Sequence, residues 1–78
     1  MADLDELKDM IEAALPGAEV DVVDQGGGDH LWASVVAPQF AGVPLLTQHR
    51  MVYAAVKPRL DDGSIHALAL STRAPEDT

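Results

Sequence analysis

The chain has 78 residues, no cysteine, and 13 acidic against 5 basic side chains, which gives a formal net charge of −8. This length allows one compact domain, and a hydrophobic fraction of 47% is too high for a disordered acidic tail. The lack of cysteine excludes disulfides, a thiol nucleophile and any iron–sulfur centre that the chain could hold with its own sulfur. We expect a single domain over residues 1–78 with a frayed tail at 73–78, and neither a signal peptide nor a membrane span.

The first third of the sequence predicts a helix followed by a hairpin. Asp3 is a suitable N-cap, and Glu6 stands three residues later, as in a capping box. Apolar residues recur at helical spacing until Pro16-Gly17, where we expect the helix to end. Segments 18–25 and 31–37 have the composition of strands, and we expect them to pair antiparallel around a flexible loop of three glycines.

The second half predicts another helix and a last strand. Pro44 fits the first turn of a helix over 45–56, and Pro58 should end or kink that helix. The apolar stripe of this helix is predicted from its spacing to contain Leu45, Leu46, His49, Val52, Tyr53 and Val56. A turn at 61–64 and a strand at 65–72 complete the order α-β-β-α-β. The pattern therefore predicts an α+β fold with helices on one sheet face.

Catalytic motifs are missing from the sequence. It has no G-x-S-x-G elbow and no glycine-rich phosphate loop, and the glycine triplet precedes a strand instead of a helix. The adjacent acids Asp61 and Asp62 lie in a predicted turn, where aspartate is a common turn former. We therefore expect no enzymatic activity.

The three histidines are the best candidates for a functional site. His30 ends the glycine loop and His66 begins the last predicted strand, and a neutral imidazole is a good ligand for iron, zinc or copper. Spacing alone still favours solvated or hydrogen-bonded rings over metal ligands. His49 lies on the apolar stripe of the second helix, so we interpret it as a structural histidine.

A basic cluster stands out from the acidic average. Arg50, Lys57 and Arg59 fall within ten residues of one another, and Tyr53 can share a helix side with Arg50 and Lys57. One interpretation is a solvated face balanced by neighbouring acids. The other is a contact surface for nucleic acid or a protein partner, although the net charge of −8 disfavours binding to phosphate backbones.

Two motifs resemble the signatures of BolA-like proteins. The stretch FAGVPLLTQHRMVY at 40–53 is similar to the family's F-x-G…(R/Q)-H-R-x-V-Y pattern, and IHALAL at 65–70 is similar to its I/V-H-A-L-x-L strand. The loop GGGDH at 26–30 resembles the variable loop in which the family carries a histidine or a cysteine. The resemblance implies a fold like a class II KH domain, with a three-stranded mixed sheet packed against helices but without a GXXG loop.

The resemblance also implies a function. BolA-like proteins pair with monothiol glutaredoxins and share a bridging [2Fe-2S] cluster, in cluster assembly, trafficking, or iron and redox regulation. His66 matches the family's strand ligand and His30 its second, variable ligand. A glutaredoxin cysteine and glutathione would supply the remaining ligands, and we expect no cofactor when the chain is alone. We expect a cytoplasmic monomer.

Two alternatives remain open at this stage. The family is also described as DNA-binding transcriptional regulators in stress response and cell morphology, and the helix with Arg50, Lys57 and Arg59 would then form the contact. The chain could instead be an interaction module without metal.

Overall fold

A computed structural model describes residues 3–75. In chain order it contains α1 (Leu4–Ala14), β1 (Glu19–Gly26), β2 (His30–Val36), a 3₁₀ helix (Pro38–Phe40), α2 (Leu45–Ala55), α3 (Lys57–Asp61) and β3 (Ala67–Arg73). The α+β class and the predicted order of elements are confirmed, with the short helix α3 as an addition.

The three strands form one mixed sheet in the order β1-β2-β3. β2 is antiparallel to β1, as the predicted hairpin requires, and parallel to β3. Parallel neighbours cannot be joined by a tight turn, so the helices α2 and α3 form the crossover between them. The register sets His30 of β2 opposite Ala67 of β3.

The core lies between the helices and one face of the sheet. Along β2, buried residues alternate with partly exposed ones, so that Leu31, Ala33 and Val35 point inward. The partly exposed Trp32 lies on the opposite face, paired with Val23 and Ala69. The buried apolar side chains come mainly from α1, the hairpin and α2: Leu7, Ile11, Leu15, Val20, Leu31, Ala33, Val35, Ala37, Phe40, Val52, Val56 and Ile65.

The N-cap of α1 is confirmed. Oδ1 of Asp3 accepts hydrogen bonds from the backbone N–H groups of Asp5 at 3.0 Å and Glu6 at 3.3 Å, which would otherwise lack partners in the first turn. The carboxylate of Glu6 binds Nε of Arg59 on α3. α1 is therefore linked to the crossover by an ion pair as well as by its apolar face.

The predicted apolar stripe of α2 is wrong at three of its residues. Leu45, Leu46 and Tyr53 are 59%, 61% and 38% exposed, whereas Gln48 is buried. A glutamine occupies the inner face because its Nε2 donates to the carbonyl of Val43 at 2.8 Å, which satisfies part of its buried amide. A prediction from hydrophobic spacing places leucine in the core. It does not take into account that a polar side chain can be buried when it is hydrogen-bonded to the nearby backbone.

The proline at position 58 acts as predicted. α2 ends at Ala55, and Pro58 lies in the first turn of α3, where its missing N–H costs no helical hydrogen bond. The five-residue helix α3 then replaces the first residue of the turn that we predicted at 61–64.

The last strand begins later than predicted. Ile65 is buried but precedes β3, and His66 lies in a bend. The N–H groups of His66 and Ala67 both donate to the carbonyl of Asp29, at 2.8 and 3.1 Å, so the chain turns there before strand pairing begins.

The predicted frayed tail begins too early. Arg73 belongs to β3, where it pairs with Val36, and its carbonyl accepts the N–H of Ala37 at 3.0 Å. Positions 76–78 of the predicted tail lie outside the described residues. Within residues 3–75, none of the helices has the length and hydrophobicity needed to cross a membrane.

The corrected burial can be tested with two leucines. Leu7 is 2% exposed and Leu45 is 59% exposed. We expect Leu7→Ala to lower the free energy of unfolding by about 2–5 kcal/mol, because it opens a cavity in the core. We expect Leu45→Ala to change it by less than about 0.5 kcal/mol. Urea denaturation followed by far-ultraviolet circular dichroism measures both, and similar losses in the two variants would contradict this account of α2.

Candidate functional site

The glycine loop is a defined turn. Oδ1 of Asp24 accepts hydrogen bonds from the N–H groups of Gly26 at 2.8 Å and Gly28 at 3.2 Å. Gly27 and Gly28 have φ values of 75° and 79°, in the left-handed region that favours glycine. The pairing register also shifts at this point, between Asp24 and Gly26. One carboxylate therefore closes the turn in the loop that we predicted to be flexible.

The two predicted metal ligands lie side by side at this end of the sheet. His30 is the first residue of β2, and His66 immediately precedes β3. Their ring centroids are 6.3 Å apart, and the ring planes are inclined at 58°. The side chains are 59% and 65% exposed. The parallel pairing of β2 with β3 thus brings together two imidazoles that are distant in the sequence, and leaves both accessible to a partner.

Asp29 connects the two rings, and sequence reasoning missed it. Its Oδ1 lies 2.9 Å from Nδ1 of His30, and its Oδ2 lies 2.5 Å from Nδ1 of His66. The hydrogen bond from His66 lowers the pKa of the Asp29 carboxyl below its ordinary value; partial burial opposes this shift and the hydrogen bond from His30 adds to it. In the sequence, the only indication of this role is that an aspartate directly precedes the loop histidine. The contact between Asp29 and His66 becomes evident only from the pairing of β2 with β3.

The site does not contain a complete ligand set for a metal. Among residues 3–75, no group of three or more histidine, aspartate or glutamate side chains is arranged to hold a metal ion. The chain has no cysteine, and a [2Fe-2S] cluster needs four ligands. The two imidazoles fit half of such a set, so a cluster at this site would require a partner with sulfur ligands.

The basic cluster is largely compensated by acids. Nζ of Lys57 lies 2.9 Å from a carboxylate oxygen of Asp61. Arg59 binds Glu6 through Nε, and its Nη1 lies 2.6 Å from Asp62. These ion pairs favour the interpretation of this face as a balanced, solvated one.

The remaining predicted contact residues make no ion pair with these acids. The hydroxyl of Tyr53 donates to the carbonyl of Leu68 at 3.0 Å, so it links α2 to β3. Arg50 is exposed and takes part in no ion pair within the described part of the chain. His49 is half-buried, and its structural role stays a prediction.

A concavity of about 520 Å³ lies at the other end of the sheet. Lys8 and Glu12 of α1 line it together with Glu19, Val36 and Arg73 from the strand ends. It holds no histidine or cysteine, and the register of β2 and β3 separates it from the histidine pair by the length of the strands. The histidine pair therefore lies on an open surface and not in this concavity.

Comparison with known proteins gives a consistent set of matches. A model of the BolA-like protein family matches residues 8–77. "BolA-like protein 1" of Homo sapiens is 31% identical over 77 aligned positions, and the alignment covers 88% of this chain and 56% of that protein. The chain thus spans little more than half the length of this curated relative.

Solved structures agree with the sequence matches. A bolA protein homologue from Coxiella burnetii superimposes with a TM-score of 0.79 at 37% identity, over 96% of this chain and 94% of that one. The BolA domain of SufE1 from Arabidopsis thaliana superimposes with a TM-score of 0.82 at 25% identity, over 92% and 91% of the two chains.

The titration of Asp62 tests its hydrogen bonds with Ser64 and Arg59. Hydrogen bonds from the side chain and then the backbone N–H of Ser64, followed by the hydrogen bond from Arg59, lower the pKa of Asp62 from 3.8 to about 2. Because the folded-state value is the lower one, Asp62 stabilises the fold above about pH 4, and this contribution is lost as the pH falls through about 2. We expect carboxyl ¹³C chemical shifts of the folded chain to give a midpoint near that value.

The control variants separate the causes of the shift. Ser64→Ala and Arg59→Gln should each raise the midpoint, because the Ser64 hydroxyl and the Arg59 guanidinium both stabilise the ionised carboxylate. A wild-type midpoint at the ordinary value for aspartate would contradict the geometry around Asp62.

Proposed function

This chain belongs to the BolA-like protein family, and we propose that it is a non-enzymatic adaptor that pairs with a monothiol glutaredoxin and co-ligates a [2Fe-2S] cluster through His30 and His66. Its role would lie in iron–sulfur cluster assembly, trafficking, or iron and redox regulation in the cytoplasm. The observation that carries the proposal is the pair of exposed imidazoles, 6.3 Å apart, on neighbouring chain segments.

The ligand count supports a shared cluster. Four ligands are needed, and this chain offers two neutral nitrogen ligands and no thiolate. A cysteine of the glutaredoxin and the thiol of glutathione complete the set in this proposal. The absence of cysteine then has a functional meaning, because the sulfur comes from the partner and the chain holds no cluster by itself.

The choice of histidine has a chemical consequence. Imidazole is neutral where thiolate is negative, so a cluster with two imidazole ligands carries less negative charge than one with four thiolates. The lower negative charge favours reduction, and Rieske centres, in which two histidines replace two cysteines, accordingly have higher reduction potentials than plant-type ferredoxins. The proposal therefore includes a higher reduction potential for the shared cluster than for the same cluster held by thiolates alone.

Hydrogen bonds constrain the backbone at both proposed ligands. Asp24 closes the glycine turn before His30, and the backbone N–H of His66 is hydrogen-bonded to Asp29. Binding a cluster thus requires less ordering of the loop than a flexible glycine segment would need, and less conformational entropy is lost. Both rings are more than half exposed, which leaves room for a partner at the same end of the sheet.

Histidine variants test the proposal. We expect a [2Fe-2S]-loaded monothiol glutaredoxin to change its visible absorption and circular dichroism spectra when the wild-type chain is added, because imidazoles replace ligands of the loaded cluster. His66→Ala and His30→Ala should lose most of the change, and His49→Gln, which alters the histidine outside the pair, should retain it. Unchanged spectra with the wild type, or equal changes with His66→Ala, would refute the proposal.

The DNA-binding alternative has less support. Of the three cations expected to contact phosphates, Lys57 and Arg59 are paired with carboxylates of the same chain. Breaking these pairs would offset the free energy gained from the released counterions. We therefore expect no duplex binding in fluorescence anisotropy at low salt. An affinity whose salt dependence weakens in Arg50→Ala would restore the alternative.

A further inference from the structure

We infer that Asp29 is the positioning residue of the histidine pair, and that its one carboxylate turns both rings so that each offers Nε2 as the ligand atom. The ligand in question rests on the proposed function, whereas the orientation of the rings is a property of the free chain. Neither imidazole would then be an independent ligand, because both depend on the same side chain.

The hydrogen bonds determine which nitrogen carries the proton. An ionised carboxylate only accepts hydrogen bonds, so Nδ1 of His30 and Nδ1 of His66 must both donate to Asp29. A neutral imidazole has one N–H, and its other nitrogen carries the lone pair. Both rings are therefore held in the tautomer that leaves Nε2 free to bind a metal.

The carboxylate is itself held in place. The Asp29 side chain is only 28% exposed, and its backbone carbonyl accepts the N–H groups of His66 and Ala67. A Cβ atom at Gly27 would lie 3.1 Å from Oδ1 of Asp29, closer than an ordinary contact, so the glycine leaves the space that the carboxylate occupies. The turn, the carboxylate and the two rings thus lie together at one end of the sheet.

This arrangement matches how proteins orient metal-bound histidines. The nitrogen that does not bind the metal usually donates to a carboxylate or a carbonyl, and loss of that partner typically lowers metal affinity 10- to 100-fold. Here a single carboxylate serves two imidazoles, one through each oxygen. Its loss should therefore weaken both ligands together.

The first experiment uses the free chain. Long-range ¹H–¹⁵N spectra at about pH 8, where an unperturbed imidazole is neutral, report the tautomer of each ring. We expect the Nδ1–H form for His30 and His66 in the wild type and in Asp21→Asn, a matched loss of charge at an exposed position. In Asp29→Asn the amide NH₂ can donate to one Nδ1, so at least one ring should change to the Nε2–H form. Wild-type rings in the Nε2–H form, or identical tautomers in Asp29→Asn, would overturn the inference.

The second experiment adds the cluster-loaded glutaredoxin and follows the visible circular dichroism. We expect Asp29→Asn to need a concentration about tenfold or more higher than Asp21→Asn for the same spectral change. Equal titrations, with tautomers changed, would overturn the positioning role. If the wild type produces no spectral change, the proposed function fails, and the tautomers alone decide whether Asp29 orients the rings.

Discussion

Asp29 joins the two chain segments that carry the histidines, and it does so with both its backbone and its side chain. Its carbonyl accepts the N–H groups of His66 and Ala67 where β3 begins, and its carboxylate contacts both imidazoles. The parallel pairing of β2 with β3 starts at the same level, with His30 opposite Ala67. The site therefore depends on the fold, because the crossover through α2 and α3 has to return the chain to this end of the sheet before the two rings can lie side by side.

Much of the fold follows from local signals. The N-cap at Asp3, the apolar spacing of α1 and the glycines of the hairpin each act within a few residues, and the sequence is sufficient to predict them. The buried face of α2 is different, because Gln48 is buried through a hydrogen bond to Val43 while Leu45 stays exposed. β3 begins late because of hydrogen bonds to Asp29, which lies far away in the sequence. The alternation of residues along a strand cannot predict such a contact.

The site could be predicted only in part, because it also depends on contacts between segments that are distant in the sequence. The motifs around His30 and His66 pointed to two ligands, but no spacing rule indicates that their rings share a carboxylate. That contact requires the register of β2 against β3 and the turn that Asp24 closes. An aspartate directly before a histidine is a weak signal by itself, and it becomes informative only when the second histidine is brought next to it.

The structure also shows where the charged residues of the chain lie. The net charge of −8 is an average, and the face with the basic cluster is balanced because Lys57 and Arg59 are paired with nearby acids. The histidine pair lies at one end of the sheet with a single acid between the rings. The net negative charge disfavours binding to phosphate backbones, and without cysteine the chain offers no thiolate ligand to a cluster. Both features are consistent with an adaptor that acts with a thiol-bearing partner.

The most direct test of the account is to detect histidine nitrogen at the iron. The chain is labelled with ¹⁵N only in its histidine imidazoles, combined with an unlabelled cluster-loaded monothiol glutaredoxin and reduced, and pulsed electron paramagnetic resonance measures the hyperfine coupling of the labelled nitrogens to the cluster spin. We predict strong couplings from two imidazole nitrogens, one of which disappears in His66→Ala. A complex that forms without any strong ¹⁵N coupling would contradict the claim that His30 and His66 ligate the cluster.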